Sequence, residues 1–280
     1  SSTLKDALGF LADHAQEGWI PLAGGTDLLV LLNSGPPPGS RYLDLSPLRH
    51  RLGRIVRDGA VWSIGAMTTM TALRRAARDE PGFPPLLAEA AAVVGGLQIQ
   101  NRATVGGNVA NASPAGDTLP VWSVLDTTVV LESITGERPV PFSDFYLGYR
   151  EMDRRPGELV TALRFPAPDL ERGRTFFHKV GTRAAQAISK VVLAGYVREE
   201  AGVIQEVRLA AGSVAPVPVR LRAVEAALTG CAAGEASVNR ALESLERDIA
   251  PIDDIRSTRA YRLRTVENLL RHYLLSPDPR

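Results

Sequence analysis

Two pairs of adjacent glycines are the residues of this 280-residue sequence that are best suited to hold a ligand. Gly24-Gly25 and Gly106-Gly107 each follow an apolar approach and lead into small polar residues. Because glycine has no Cβ, such a pair reaches positive φ and lets backbone N–H groups come close to a ligand. Consecutive N–H groups that point inward form a nest for an anion. The pairs therefore indicate either two phosphate-binding loops or two ordinary turns.

Neutral donors surround both glycine pairs, and Arg102 is the only cation close to them in the sequence. The donors are Thr26, Thr104, Asn108, Asn111 and Ser113. A diphosphate would then be held mainly by backbone dipoles and hydroxyls. Neither loop reads G-x-G-x-x-G and neither ends in G-K-[ST], which disfavours a Rossmann or P-loop site.

Metal ligands are scarce in this chain. Cys231 is the single cysteine, so neither an intrachain disulfide nor a cysteine-based zinc or iron–sulfur site can form within the chain. The four histidines show no ligand spacing; they are His14, His50, His178 and His272. No metal site and no acid–base dyad for substrate oxidation is expected. If the protein is a redox protein, its cofactor is organic.

The composition is that of a globular protein, with 45% hydrophobic residues, 22% charged residues and a net charge of +1. The near-zero charge argues against nucleic-acid binding. No apolar run reaches the roughly 18 residues of a membrane span. The longest, residues 28–32, has the length of a strand. The N-terminus does not read as a signal peptide, so a cytoplasmic location is expected.

The hydrophobic pattern predicts alternating helices and strands followed by a second, distinct part. Helices are predicted over residues 3–17, 69–78, 86–94, 120–125, 221–228, 235–249 and 257–275. Strands are predicted over residues 19–22, 41–45, 55–57, 61–64, 127–133, 175–180, 190–198 and 203–209. A loop is predicted over residues 33–39. Proline and charge over residues 166–173 indicate a domain boundary.

The segments around the glycine pairs form longer motifs. Residues 21–28 read PLAGGTDL and residues 99–117 read IQNRATVGGNVANASPAGD. Four further short segments belong to the same set of motifs. They are LDLS at 43–46, GELV at 157–160, FHKVGTR at 177–183 and RAYR at 259–262. Over nearly its whole length the chain resembles the FAD-binding (medium) subunit of the xanthine dehydrogenase and carbon monoxide dehydrogenase family of molybdenum hydroxylases.

This resemblance implies an α+β fold of two domains. Residues 1–168 would form an FAD-binding domain of the PCMH or vanillyl-alcohol-oxidase type, with subdomains at about 1–50 and 51–168. Residues 172–280 would form a C-terminal α+β domain, in which antiparallel strands precede three helices.

The resemblance also implies the cofactor site. Both loops would contact the FAD diphosphate, through Ala23, Gly24, Gly25, Thr26, Asp27, Thr104, Val105, Gly106, Gly107 and Asn108, with Asn111 nearby. Asp117 would bond a cofactor hydroxyl, and Val160 would contact the adenine end. Lys179 would lie in the flavin site, where a cation would raise the flavin potential; the alternative is a solvated strand lysine.

One more segment, residues 181–190, resembles the loop that passes near the isoalloxazine ring. Gln186 stands where some family members carry an acidic residue, which leaves the preferred electron acceptor open. Tyr149 and Tyr196 could stack on a flavin, but a buried core position is the expectation for each.

The function implied by the resemblance is electron relay, with no catalytic residue in this chain. A large molybdopterin-binding partner would oxidise the substrate. A small partner with two [2Fe-2S] clusters would pass the electrons to FAD, and NAD+ or another acceptor would receive them. The complex would be a dimer of heterotrimers, and residues 183–191 favour a purine or other N-heterocycle as substrate. The alternatives are a self-sufficient FAD oxidase or dehydrogenase and a non-catalytic assembly subunit.

Overall fold

A computed structural model describes residues 3–35, 39, 41–183 and 186–276 of the chain. Pro36, Pro37 and Pro38 of the predicted loop, and Ala184 and Ala185 of the segment expected near the flavin ring, lie outside the described residues. The described fold mixes helices with antiparallel and parallel strands, which confirms the predicted α+β class. No helix among the described residues has both the length and the apolarity needed to cross a membrane.

The N-terminal part surrounds a small parallel pair of strands. Its elements are α1 (Leu4–Asp13), β1 (Ile20–Leu22), α2 (Thr26–Ser34), β2 (Tyr42–Asp44), a 3-10 turn (Ser46–Leu48) and α3 (Arg49–Leu52). Strand β1 pairs with β2, so that Ile20 lies opposite Tyr42. Thr3 and Asp6 form a capping box at the start of α1, as the sequence predicts for Thr3.

The apolar run at residues 28–32, for which the sequence predicts no element, is part of helix α2. Gly25 adopts the left-handed conformation, with φ 72°, and turns the chain directly from β1 into the helix. The run follows neither a helical nor an alternating pattern because no residue of α2 is buried. The predicted loop over residues 33–39 is also shorter than expected, since α2 extends to Ser34.

A five-stranded antiparallel sheet forms the centre of the protein, in the order β3-β4-β9-β5-β6. Its strands are β3 (Ile55–Asp58), β4 (Val61–Gly65), β5 (Thr128–Ser133), β6 (Gly136–Pro141) and β9 (Leu159–Pro166). Helices α4 (Met70–Asp79), α5 (Pro85–Ala92), α6 (Leu97–Gln100), α7 (Val105–Ala110), α8 (Leu119–Val124) and α9 (Phe142–Phe145) accompany it. Two short strands, β7 (Tyr146–Gly148) and β8 (Glu151–Met152), form a hairpin before β9.

A second sheet begins at Gly173, in the order β10-β11-β12-β13, and every pairing in it is antiparallel. Its strands are β10 (Gly173–Val180), β11 (Val191–Glu200), β12 (Val203–Gly212) and β13 (Val219–Arg220). The helices that follow are α10 (Arg222–Leu228), α11 (Glu235–Leu242), α12 (Leu245–Asp248) and α13 (Arg259–Leu275).

The prediction of a single helix over residues 235–249 is wrong, because a turn at residues 243–244 divides it into α11 and α12. The N–H of Ser244 bonds to the carbonyl of Ala241, three residues back, and this breaks the helix. The turn lets both Leu242 and Leu245 enter the core. Four helices therefore follow the strands where three are predicted.

Both faces of strand β11 are buried, which joins the two halves of the protein. Ala194 and Tyr196 pack into the core around Trp122 of α8, whereas Leu193 and Val197 pack with the C-terminal helices. Tyr196 thus lies in the core, as predicted, and its hydroxyl donates to the carbonyl of Asp169. The C-terminal sheet thus contributes to two hydrophobic cores, the one around Trp122 and the one beneath the C-terminal helices.

Arg262 fixes helix α13 to the ends of this sheet. The residue is 4% exposed. Its guanidinium donates to the carbonyls of Ser213 and Lys190 at 2.5 and 3.2 Å and to the carboxylate of Asp254 at 2.8 Å. Buried acceptors that lose a charged donor keep their desolvation cost.

We expect Arg262→Met to lower the free energy of unfolding by about 3 kcal/mol, because it leaves the carbonyls of Ser213 and Lys190 without this donor and removes a buried cation from Asp254. Urea unfolding measures the change. The control is Arg259→Met on the same helix, which removes only an exposed ion pair with Glu246 and should cost less than about 1 kcal/mol. Equal losses in the two variants would contradict the anchoring role of Arg262.

Candidate functional site

A cleft of about 1170 Å³ runs between the two glycine segments, the β7–β8 hairpin and the loops of the C-terminal sheet. Small-molecule sites commonly measure about 300–1,000 Å³, so the cleft is large enough for a dinucleotide-sized ligand. Most residues predicted for the cofactor site line it; they are Ala23, Gly24, Gly25, Thr26, Asp27, Thr104, Gly106, Gly107, Asn108, Asn111, Asp117 and Val160. The two exceptions are Val105 and Lys179.

The first glycine loop presents free backbone donors. It connects β1 to α2, and helix α2 begins without a side-chain cap. Within the described residues, the N–H groups of Thr26, Asp27 and Leu28 have no backbone acceptor outside their helix. The first turn of a helix carries partial positive charge and attracts anions. This loop therefore has the available donors that an anion-binding nest requires.

The second glycine loop does not form such a nest, and that prediction is wrong for it. The N–H groups of Val105 and Gly106 donate to the carbonyls of Thr68 and Ala66 at 2.9 and 2.8 Å. Thr104 caps helix α7 by accepting from the N–H of Gly107 at 3.1 Å. Val105 itself is completely buried beneath the loop. This segment therefore offers side chains to the cleft rather than backbone donors.

The glycines bring the two loops together. A Cβ on Gly24 would overlap the carbonyl oxygen of Arg102, and the Nε of Arg102 donates back to the carbonyl of Gly24 at 3.3 Å. A Cβ on Gly106 would lie 2.6 Å from that of Ala66. At these two positions the missing side chain makes room for a neighbouring segment of the protein, where the sequence predicts room for a ligand.

Asp117 and Lys179 form a buried ion pair at the cleft wall. Lys179 Nζ lies 2.7 Å from Asp117 Oδ2 and 3.0 Å from the carbonyl of Val93. The side chains are only 8% and 11% exposed for lysine and aspartate, so the alternative of a solvated lysine is excluded. Asp117 Oδ1 is buried without a hydrogen-bond partner among the described residues. Burial raises the pKa of Asp117 to about 6, and the charge of Lys179 opposes that rise.

Two arginines of the β7–β8 region line the cleft, and the sequence interpretation misses both. Arg150 sits at positive φ (57°), which is strained for a residue with a side chain, and its charge acts on Asp27. Arg154 Nη1 donates to the carbonyl of Glu158 at 3.0 Å. The sequence gives no signal for them, because they are distant from both glycine pairs along the chain.

Tyr149 does not occupy the buried core position that the sequence predicts. It is exposed and lines the cleft, because it lies in the turn that joins β7 to β8. Gln186 also has positive φ (51°), and its carbonyl accepts from Arg183 at 2.7 Å. Its neighbours Ala187 and Ile188 belong to the cleft wall.

Comparison with known proteins identifies the family to which this fold and this cleft belong. The family described as the FAD binding domain in molybdopterin dehydrogenase matches residues 1–168, and the CO dehydrogenase flavoprotein C-terminal domain matches residues 176–276. A putative xanthine dehydrogenase FAD-binding subunit of Escherichia coli is 30% identical over 96% of this chain and 91% of its own. The glyceraldehyde dehydrogenase medium chain of Sulfolobus acidocaldarius is 31% identical over 96% and 93%.

A solved structure agrees with these sequence matches. Carbon monoxide dehydrogenase from Hydrogenophaga pseudoflava superposes with a TM-score of 0.88 at 27% identity, over 96% of this chain and 92% of the other. The fold and the cleft define a flavoprotein subunit of an oxidoreductase. The chain belongs to the family of FAD-binding subunits of molybdenum hydroxylases.

The residues of the cleft fit FAD. Its diphosphate is an anion, and the first turn of α2 offers N–H groups that lack an acceptor. Its ribityl and ribose hydroxyls are donors, and the unpartnered Oδ1 of Asp117 is a buried acceptor. A buried acceptor without a protein partner is completed by a water or a ligand, and a cofactor hydroxyl suits this residue of the cleft wall.

We expect Gly24→Ala to abolish FAD binding, because the new methyl group pushes the first loop away from Arg102. The flavin content of the purified protein measures this. The matched control is Gly35→Ala at the other end of α2, where a Cβ meets nothing within 4 Å. An equal loss in both variants, or full FAD content in Gly24→Ala, would contradict the importance of the loop contact.

Proposed function

We propose that this chain is the electron-transfer subunit of a heteromeric molybdenum hydroxylase. When bound, FAD supplies two-electron redox chemistry and connects a one-electron donor to the terminal acceptor. The donor would be the [2Fe-2S] clusters of a small partner subunit, and the acceptor NAD+ or a similar oxidant. A large molybdopterin-binding subunit would complete a heterotrimer that forms a dimer.

The state of the buried carboxylates in the cleft supports this proposal most directly. Asp117 is paired with Lys179, and Glu158 with Arg138 at 2.8 Å. A general base for substrate oxidation needs a carboxylate or imidazole that is free to take a proton. Among the described residues that line the cleft, no histidine occurs. Asp254 is paired with Arg262, so that of the four carboxylates in the described cleft lining only Asp27, at the start of α2, is not held in an ion pair. This lining suits the holding of a cofactor better than the oxidation of an organic substrate.

The residues of the proposed cofactor site have separate tasks. The N–H groups at the start of α2 and the guanidinium of Arg154 would hold the diphosphate. Asp117 would accept from a cofactor hydroxyl, and Val160 would contact the adenine end. For the substrate of the complex, which would bind the large subunit, we propose a purine or another N-heterocycle. The likeness of residues 183–191 to xanthine-dehydrogenase-type members supports this.

Anaerobic spectroscopy of the chain alone and of the co-expressed complex tests the proposal. We expect the chain alone to carry oxidised FAD that xanthine and other N-heterocycles leave unreduced, whereas the same compounds reduce it in the complex. Flavin that is reduced by these compounds in the chain alone would indicate a self-sufficient dehydrogenase. A purified chain without flavin bands, and unable to take up FAD, would indicate an assembly subunit.

We expect Arg154→Met to weaken FAD binding by about tenfold or more, as the loss of a charged hydrogen bond to phosphate costs about 1.5–3 kcal/mol. Riboflavin, which lacks phosphate, should bind both proteins equally. Flavin fluorescence gives both dissociation constants, and the exposed neighbour Arg155 serves as the control in Arg155→Met. Equal weakening of riboflavin and FAD would show that Arg154 has only a structural role.

A further inference from the structure

The C-terminal domain makes three polar contacts with residues 114–117, the segment that contains Asp117. The N–H of Ser213 donates to the carbonyl of Pro114 at 2.9 Å. The hydroxyl of Ser189 donates to the carbonyl of Ala115 at 3.1 Å. Lys179 makes the third contact, at Asp117 itself. The cleft wall at residues 114–117 is therefore positioned by the other domain.

Lys179 itself is turned away from the cleft. It belongs to strand β10, and its ammonium group is occupied by Asp117 and by the carbonyl of Val93 at the end of α5. It is not among the residues that line the cleft, whereas Asp117 is. One carboxylate oxygen of Asp117 faces the lysine, and the other has no partner among the described residues.

We propose that Lys179 is a positioning residue that acts on FAD only through Asp117. It keeps the carboxylate ionised and oriented, so that Oδ1 accepts a hydrogen bond from a cofactor hydroxyl. Cofactor binding and docking of the C-terminal domain thereby become interdependent. This inference rests on the proposed cofactor site, and it replaces the expectation that the lysine cation contacts the flavin directly.

The electrostatics give this arrangement a definite pH dependence. Burial raises the pKa of Asp117 to about 6, and both the charge and the hydrogen bond of Lys179 lower it. Lys179 is the one charged group, among the described residues, that shifts the pKa of Asp117. The neighbouring contacts of Lys179 with Val93 and of residues 114–115 with Ser189 and Ser213 involve amide, carbonyl and hydroxyl groups, which do not titrate near neutrality. Removing Lys179 removes both lowering effects, so the pKa rises further and the carboxyl protonates closer to neutral pH.

A cofactor that donates to a carboxylate binds the ionised form, so its affinity falls as the pH drops through the pKa of the free protein. In the wild type, FAD affinity should be constant above neutrality and fall by about tenfold for each pH unit below about 6. In Lys179→Met the midpoint should move upward by about one unit or more, which weakens binding about twofold or more at pH 7 and more strongly below it. Binding should recover in alkaline buffer.

The experiment measures the FAD dissociation constant of the apo-protein by flavin fluorescence, from about pH 5 to about pH 9. Lys179→Arg should restore the wild-type midpoint, and Asp117→Asn should bind FAD weakly without pH dependence. Lys5→Met, which removes the same charge from an exposed position on α1, should follow the wild type. Uniform weakening in Lys179→Met with an unchanged midpoint would overturn the proposal and leave the lysine a merely structural role.

Hydrogen exchange supplies a second readout for the link between the domains. FAD should slow amide exchange in β10 of the wild type, and slow it less in Lys179→Met. Equal protection in both proteins would overturn the coupling. A wild-type chain that binds no FAD at any pH would instead refute the proposed cofactor site, so the two failures are distinguishable.

Discussion

The contact between Gly24 and the carbonyl of Arg102 is the constraint on which the cleft depends. Two segments far apart in the sequence meet there backbone against backbone, with no room for a Cβ. Side chains at this point would separate the loops by the width of a methyl group or more. The contact places the uncapped start of α2 beside the polar residues of the second loop. Close approach of backbone segments, a property of glycine, thus creates the space that a diphosphate would occupy.

The two glycine loops contribute differently to the cleft, because the backbone N–H groups of one are bonded within the protein and, among the described residues, those of the other are not. In the second loop the N–H groups of Val105 and Gly106 serve the fold by bonding to the strand-to-helix connection at Ala66 and Thr68. That loop contributes Asn108 to the cleft lining, and the side-chain oxygen of Asn108 accepts from Thr118 at 2.6 Å. In the first loop the corresponding donors remain available. A pair of similar sequence motifs produces one loop with available backbone donors and one loop that lines the cleft with side chains.

Much of this fold follows from local sequence, and the exceptions have physical reasons. Helices α1 and α4 carry an apolar stripe and a capping threonine, so their sequence alone predicts them. No strand is predicted over residues 159–166, although buried and half-buried residues alternate in strand β9. The strand forms by pairing with β4 and β5, which come earlier in the chain, and local sequence does not show this pairing. Helix α2 has no buried face to impose a period. The glycine motifs and Asp117 are found from the sequence, whereas Arg154 enters the cleft only through tertiary folding.

The buried ion pairs of this protein are better explained by geometry than by stability. Replacing such a pair with apolar residues is often neutral or stabilising, since the desolvation of two charges offsets their attraction. Yet Lys179–Asp117 and Arg262–Asp254 both occur where the C-terminal domain meets the cleft. An apolar seam would hold the domains together equally well, but it would leave the segment at residues 114–117 free to shift. Directional bonds to Ser213, Ser189 and Lys179 fix that segment residue by residue, and they leave one carboxylate oxygen of a cleft-lining residue without a partner among the described residues.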